Sequence, residues 1–210
     1  AFNDVSFAYE EDKEVLHNVS FEVKSGNVVA LVGSSGSGKS TIAGLAATFL
    51  NPLSGTITVD GQDLSKVDLS SYRQNLGVVL QDEFLFEGTI RQNILFPRPN
   101  ASEDELQDAV KAAYVDEFTD RFEDGLETLI GERGVKLSGG QRQRIAIARA
   151  IILEPRFVVA DEPVSMLDVS IRAGVLNLMR RFRDDLGISF VYVSHDLPTI
   201  RYVADRTAIL

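Results

Sequence analysis

The 210-residue sequence predicts an α/β fold, a mixed β-sheet with helices packed against it. Three observations predict it. Two short runs, Val28–Val32 and Phe157–Ala160, are continuously apolar, as central strands covered on both faces must be. Strand-like and helical stretches alternate along most of the chain after an early hairpin-like start. A glycine-rich loop follows Val28–Val32 directly and opens a helical stretch.

Each element follows from its local pattern. Phe2–Phe7 and Val19–Val23 read as the early strands, forming an antiparallel subdomain at the N-terminal end. Further strands are expected at Thr56–Val59, Leu76–Leu80, Ser189–Val193 and Thr207–Leu210. Helical patterns cover Ser40–Phe49, Ser102–Val115, Gln141–Leu153 and Val169–Leu186. Ser102 with Glu105 makes a capping-box start, and Gly187 suits the end of the last long helix. From about Ile90 to Arg133 the pattern is helical with no convincing strand. Residues 90–150 are therefore expected to form a helical subdomain inserted into one domain spanning 1–210.

Composition narrows the class. With 44% hydrophobic and 25% charged residues, the chain is globular, and with no cysteine it holds its core without disulfides. No apolar run approaches the 18 or more residues that span a bilayer. No signal peptide is evident, and a first residue other than Met suggests a domain taken from a longer polypeptide. A net charge of −10 argues against a duplex-binding surface, which needs clustered Lys and Arg. Residues 101–127 carry ten acidic residues against Lys111 and Arg121, which reads as a solvated helical face. Cytoplasmic chemistry is the expectation.

The strongest signal is Gly33-Ser34-Ser35-Gly36-Ser37-Gly38-Lys39-Ser40, which fits G-x-x-x-x-G-K-[ST] between a strand and a helix. Its glycines let successive backbone N–H groups turn onto phosphate oxygens, and the helix dipole adds positive potential. Lys39 can reach the β- and γ-phosphates, and the Ser40 hydroxyl can ligate Mg²⁺. Residues 33–40 with Thr41 are thus the expected nucleotide cradle, and the core is expected to be a P-loop NTPase core. The apolar strand Phe157–Ala160 then runs into Asp161-Glu162. Asp161 at its carboxyl end would hold Mg²⁺, and Glu162 is placed to polarise an attacking water.

Leu137-Ser138-Gly139-Gly140-Gln141 heads the helix Gln141–Leu153 and resembles the signature of ATP-binding cassette (ABC) ATPases. Its physics is that of an anion site, small residues and free amides at a helix N-terminus. The order of P-loop, glutamine, signature, Asp-Glu strand and histidine resembles that family through nearly the whole chain. The resemblance implies ATP and Mg²⁺ as ligands and further roles. Tyr9 matches the aromatic that stacks on adenine. Gln81 matches the glutamine that senses Mg²⁺ and the attacking water and touches the membrane partner. His195 matches the switch histidine at the γ-phosphate, and Ser138, Gly139, Gly140 and Gln141 match the segment completing a facing subunit's site. Leu167-Asp168 resembles the loop that crosses to that subunit, although Asp168 could simply cap a helix. Gly131-Glu132-Arg133-Gly134 resembles the cross-talk segment of exporter-type domains.

The implied protein is an ATPase that powers membrane transport, pairing head-to-tail with a second nucleotide-binding domain and with transmembrane domains at the inner face of a membrane. No nucleic-acid partner is expected. A soluble ABC machine acting on DNA or ribosomes is the alternative class; its usual coiled-coil insertions are absent from this sequence. One departure stands out. Phe84–Ile90 and Gly131–Val135 resemble exporter-type cassettes, whereas residues 161–172 resemble peptide-importer ATPases. Two expectations follow: a recombined chain joined within Gln141–Leu153, binding nucleotide with weak turnover, or a natural cassette of mixed sequence.

Overall fold

A computed structural model describes residues 1–10, 13–81, 84–131 and 135–210. Strands β1 (Phe2–Ala8) and β2 (Glu14–Phe21) form an antiparallel pair. Then come β3 (Val28–Val32), α1 (Lys39–Ala46), β4 (Ser54–Val59), β5 (Gln62–Asp63), α2 (Leu69–Arg73) and β6 (Leu76–Val79). The middle of the chain holds β7 (Gly88–Thr89), α3 (Ile90–Leu95), α4 (Glu103–Ala112), α5 (Asp116–Thr119), β8 (Leu129–Ile130) and α6 (Gly139–Ile151). The chain closes with β9 (Phe157–Asp161), α7 (Val169–Leu186), β10 (Ser189–Val193), α8 (Leu197–Val203) and β11 (Arg206–Ile209).

The expected mixture of strand directions is divided between two sheets. One is antiparallel, in the order β2-β1-β4-β5, and the other is parallel, in the order β11-β3-β10-β9-β6. Both faces of the central strands β3, β10 and β9 are covered, which is why they are largely apolar, whereas edge strand β11 (Arg206–Ile209) is mostly exposed. Val28, Ala30, Val158, Ala160, Phe190 and Tyr192 face a core shared with α3, α4, α6 and α7. Their neighbours Val29, Leu31, Val159, Val191 and Val193 face a second core shared with α1 and the antiparallel sheet. Period-two alternation therefore separates two cores rather than a core from solvent.

Several boundaries differ from expectation for local reasons. β2 begins at Glu14, not Val19, because its polar residues face solvent from a sheet edge while Leu16 is buried. The helix after the P-loop stops at Ala46, where the chain turns through Thr48 at φ 58°. The expected helix Ser102–Val115 ends at Ala112 before Tyr114, also at φ 58°. α6 runs over 139–151 rather than 141–153, its start set by Ser138 as N-cap. The two-residue strand β8 lies inside the segment expected to lack strands and pairs with β7 just before it, and α2 and α8 are too short to show helical periodicity. The Ser102–Glu105 capping box and the left-handed Gly187 cap stand as expected. The acidic face is partly neutralised: Arg91 pairs with Glu103 and Glu127, and Arg98 with Glu105 and Glu154.

Gly55 shows how tightly β1 and β4 meet. It lies at a register shift opposite Asp4, with φ 81°, and a β-carbon there would stand 2.3 Å from the Asp4 carbonyl oxygen. A left-handed backbone alone costs a side-chain-bearing residue roughly 1–2 kcal/mol, and a backbone clash adds strain. Gly55→Ala is expected to destabilise the chain by about 2 kcal/mol or more in urea unfolding, against under about 0.5 kcal/mol for Ser54→Ala beside it.

Candidate active site at the carboxyl edge of the parallel sheet

Strand order brings the polar sequence signals together. β3, β10, β9 and β6 lie side by side and parallel, so the segments leaving their carboxyl ends emerge on one edge, where open α/β sheets place ligands. β3 delivers Gly33–Gly38, β9 delivers Asp161 and Glu162, β10 delivers Ser194 and His195, and β6 leads to Gln81.

The P-loop turns from β3 into α1. Lys39 Nζ donates to the Gly33 carbonyl at 3.0 Å, the Ser34 carbonyl at 2.7 Å and Ser37 Oγ at 3.3 Å. Among the described residues the Lys39 cation is thus held over the loop by neutral oxygens, which an anionic phosphate would outcompete. α1 starts at Gly38 with no side-chain cap and no acidic residue in its first turn, leaving the positive end of its dipole for a ligand. Ser34, Ser35 and Gly36 are exposed. Tyr9, at the end of β1, is 63% exposed, stands edge-on to Phe7, and places its hydroxyl 3.1 Å from Thr41 Oγ1. An open aromatic face therefore lies beside the P-loop helix.

The two carboxylates of 161–162 differ in environment. Asp161 is buried, and burial is the main cause pushing its carboxyl above the usual carboxylate range; the nearby Glu162 charge adds to this. The Ser40 hydroxyl hydrogen-bonds it and the Lys39 charge acts on it, both in the opposite direction. Its Oδ1 is nonetheless buried without a hydrogen-bond partner. That orphaned oxygen, with the Ser40 hydroxyl beside the carboxylate, suits Mg²⁺, which takes few protein oxygens and fills its shell with water and phosphate. Among the described residues no group of three or more His, Asp or Glu forms a closed metal cage.

Glu162 is held at every point. Its amide donates to the Val193 carbonyl at 2.9 Å. Its Oε1 accepts from the His195 amide at 2.9 Å and lies 2.7 Å from His195 Nδ1, and its Oε2 accepts from Ser194 at 3.4 Å. The His195 side chain is 78% exposed, so the ring reaches outward from this anchored end. Glu162 has φ 50°, a left-handed backbone rare for a residue with a side chain and of order 1–3 kcal/mol uphill. Its carbonyl accepts from Ser165 and from the amide of Gln143, a wholly buried residue of α6 that sequence reasoning passed over. A glutamine two residues beyond the signature carried no signal, because only tertiary contact reveals what it binds.

The signature is placed elsewhere. Ser138 and Gln141 close a capping box on each other, and Gly139 and Gly140 face Met166. None of these hydrogen bonds reaches the P-loop. Gln81 is exposed at the end of the β6 segment. Asp168 occupies the N-cap position of α7 but makes no side-chain capping hydrogen bond, so capping does not account for it. Of the expected cross-talk segment, Glu132, Arg133 and Gly134 lie outside the described residues.

Comparison with known proteins agrees with this geometry. Residues 16–165 match the family model described as ABC transporter, and the chain belongs to that family. It is 45% identical over 210 residues to YgaD of Bacillus subtilis, named a putative multidrug export ATP-binding/permease protein, covering all of this chain and 36% of the relative. An ATM1-type heavy metal exporter of Novosphingobium aromaticivorans is 44% identical over 209 residues, covering 100% and 34%. The structure of a bacterial Atm1-family ABC exporter with ATP bound superposes with a TM-score of 0.92 at 42% identity, covering 100% of this chain and 36% of that one. The chain thus spans about a third of the length of the curated relatives it matches. Exporter-type relatives align across both halves of the chain, so the expectation of a recombined sequence gains no support.

The buried, partly unpartnered Asp161 carries a stability consequence. Its folded pKa is raised, so its neutral form is favoured by folding, and that contribution is lost as pH rises through the raised value. Asp161→Asn is expected to raise the melting temperature of the nucleotide-free chain at pH 7, by about 2–4 °C if the relief is worth about 1 kcal/mol. The gain should vanish at acid pH, where both states are protonated. Scanning calorimetry across pH checks both halves.

Proposed function

We propose that this chain binds ATP with Mg²⁺ and hydrolyses it to ADP and phosphate, powering the membrane transport performed by a longer exporter. The observation that carries the reading is the Glu162 carboxylate, fixed by His195 and Ser194 next to the Mg²⁺-suited Asp161 and facing the P-loop edge. The loop amides and Lys39 bind the phosphates. Tyr9 stacks on the adenine. Ser40, Asp161 and Gln81 hold Mg²⁺, which when bound neutralises phosphate charge. Residues 90–150 serve as the helical subdomain carrying the signature.

Glu162 acts as general base. A water oxygen attacks the γ-phosphorus while its proton passes to Glu162, and the bond from that phosphorus to the β–γ bridging oxygen breaks, releasing ADP. The His195 ring, with Nδ1 2.7 Å from Glu162 Oε1, contacts the γ-phosphate from this anchored position. Gln81 orients the water. Most of this work is positioning and electrostatics rather than covalent chemistry.

The signature residues reach no P-loop atom by hydrogen bonding, which supports a site completed by a second copy or a related domain bound head-to-tail over two ATP molecules. The permease names of the relatives support transmembrane partners and a place at the inner face of a membrane. Among the described residues no helix is long and apolar enough to cross one.

Two experiments test the reading. Lys39→Ala should abolish phosphate release and weaken ATP by one to two decades, about 1.5–3 kcal/mol, with a smaller effect on AMP in calorimetric titration. Glu162→Gln should lower the rate by about 10²–10⁴ while leaving ATP affinity intact, and should accumulate as an ATP-dependent dimer on size exclusion. Adding Ser138→Arg should abolish that dimer. Wild-type turnover by Glu162→Gln would refute the catalytic assignment.

A further inference from the structure

Gln143 is a wholly buried amide on α6, one turn past the signature glycines, and the roles above leave it unused. Its Nε2 donates to the Glu162 carbonyl at 2.9 Å, and its Oε1 accepts from the Met166 amide at 3.1 Å. These two partners bracket the turn that leaves β9, so one side chain clamps both of its ends. Glu162 at φ 50° holds a backbone that a residue with a side chain keeps only when its surroundings enforce it. Rotating that backbone would swing the carboxylate off the His195 amide and ring. Ser165 donates twice to the same carbonyl, from its amide at 3.2 Å and its hydroxyl at 2.9 Å, yet it belongs to the turn itself. Gln143 is the donor to that carbonyl that comes from another element.

We infer that Gln143 is a positioning residue, which fixes the Glu162 backbone so that its carboxylate faces the attacking water and which ties that carboxylate to the signature helix. The inference rests on the reading of Glu162 as general base. Through Gln143, a displacement of α6 at its signature end is transmitted to the catalytic carboxylate by two hydrogen bonds rather than by loose packing. A misplacement of about 1 Å at a reacting group can cost on the order of 10²-fold in rate.

Gln143→Met keeps the side-chain length and removes both hydrogen bonds. Steady-state phosphate release by the full chain should show kcat lowered about ten- to hundredfold, with the KM for ATP within about twofold of wild type, because every nucleotide contact is intact. A residue that only filled space would lower affinity and rate together. In a Glu162→Gln background the same substitution should change the residual rate by less than about twofold, since the group it acts through is gone. An unchanged kcat, or an equal loss in both backgrounds, overturns the inference. Wild-type turnover by Glu162→Gln alone overturns the general-base reading and takes this inference with it. If Gln143→Met does not fold, Ser165→Ala strips another donor from the same carbonyl at a half-buried position; it should lower kcat by about two- to fivefold with KM unmoved, and no loss there overturns the inference equally.

Discussion

Two adjacent carboxylates must be held at the buried end of one strand, and much of the molecule is arranged around that demand. Asp161 and Glu162 are 4% and 8% exposed, and each charge must be offset where water cannot do it. Asp161 has a serine hydroxyl and a lysine charge on one side and nothing on the other. Glu162 is held throughout, with His195, Ser194, Ser165, Val193 and Gln143 engaging its amide, carbonyl and carboxylate, while Oε2, with one contact at 3.4 Å, keeps a lone pair able to accept a proton. The contrast divides their labour. The unsatisfied oxygen suits a cation, and the fully oriented carboxylate suits proton abstraction.

That demand also explains why helix α6 lies where it does. Its first turn is fixed by the Ser138–Gln141 capping box, and Gln143 then reaches the turn after β9. Farther along, Arg149 donates to the carbonyls of Phe84 and Asn93 and to the Asn93 side chain, and burial lowers its pKa. Asn93 in turn binds the backbone of Phe86 in both directions. One helix therefore connects the signature, the Glu162 turn and the chain just beyond Gln81. Because its anchors are hydrogen bonds of fixed geometry, α6 can shift only if these loops shift too.

Much of this was legible in the sequence. The apolar runs of β3 and β9 identified strands covered on both faces, and the P-loop pattern located the glycine-rich turn between β3 and α1. Asp161 and Glu162 stood out only because a P-loop precedes them, since a strand ending in charge is by itself common at protein surfaces. What stayed hidden depends on tertiary contact. Glu14–Asn18 carries no strand pattern because an edge strand exposes polar residues, and Gln143 looks like any other polar position on a helix. The division into two cores was also invisible, since residues alternating along an apolar strand look alike until something different packs on each face.

The P-loop is built at a seam. Gly38 belongs to the parallel layer, and the side chain of Leu16 from β2 crowds the space beside its α-carbon, while Tyr9 leans from β1 onto Thr41. A nucleotide gripped by Lys39 and stacked on Tyr9 would add a further tie between two sheets that already share one apolar core, through Phe7 and Leu16 on one side and Val29 and Leu31 on the other. Its binding energy would then become cohesion between them. Because the sheets already share a core, backbone amides in β1 and β2 would gain protection from exchange together with those of β3 and β10 when the ligand binds.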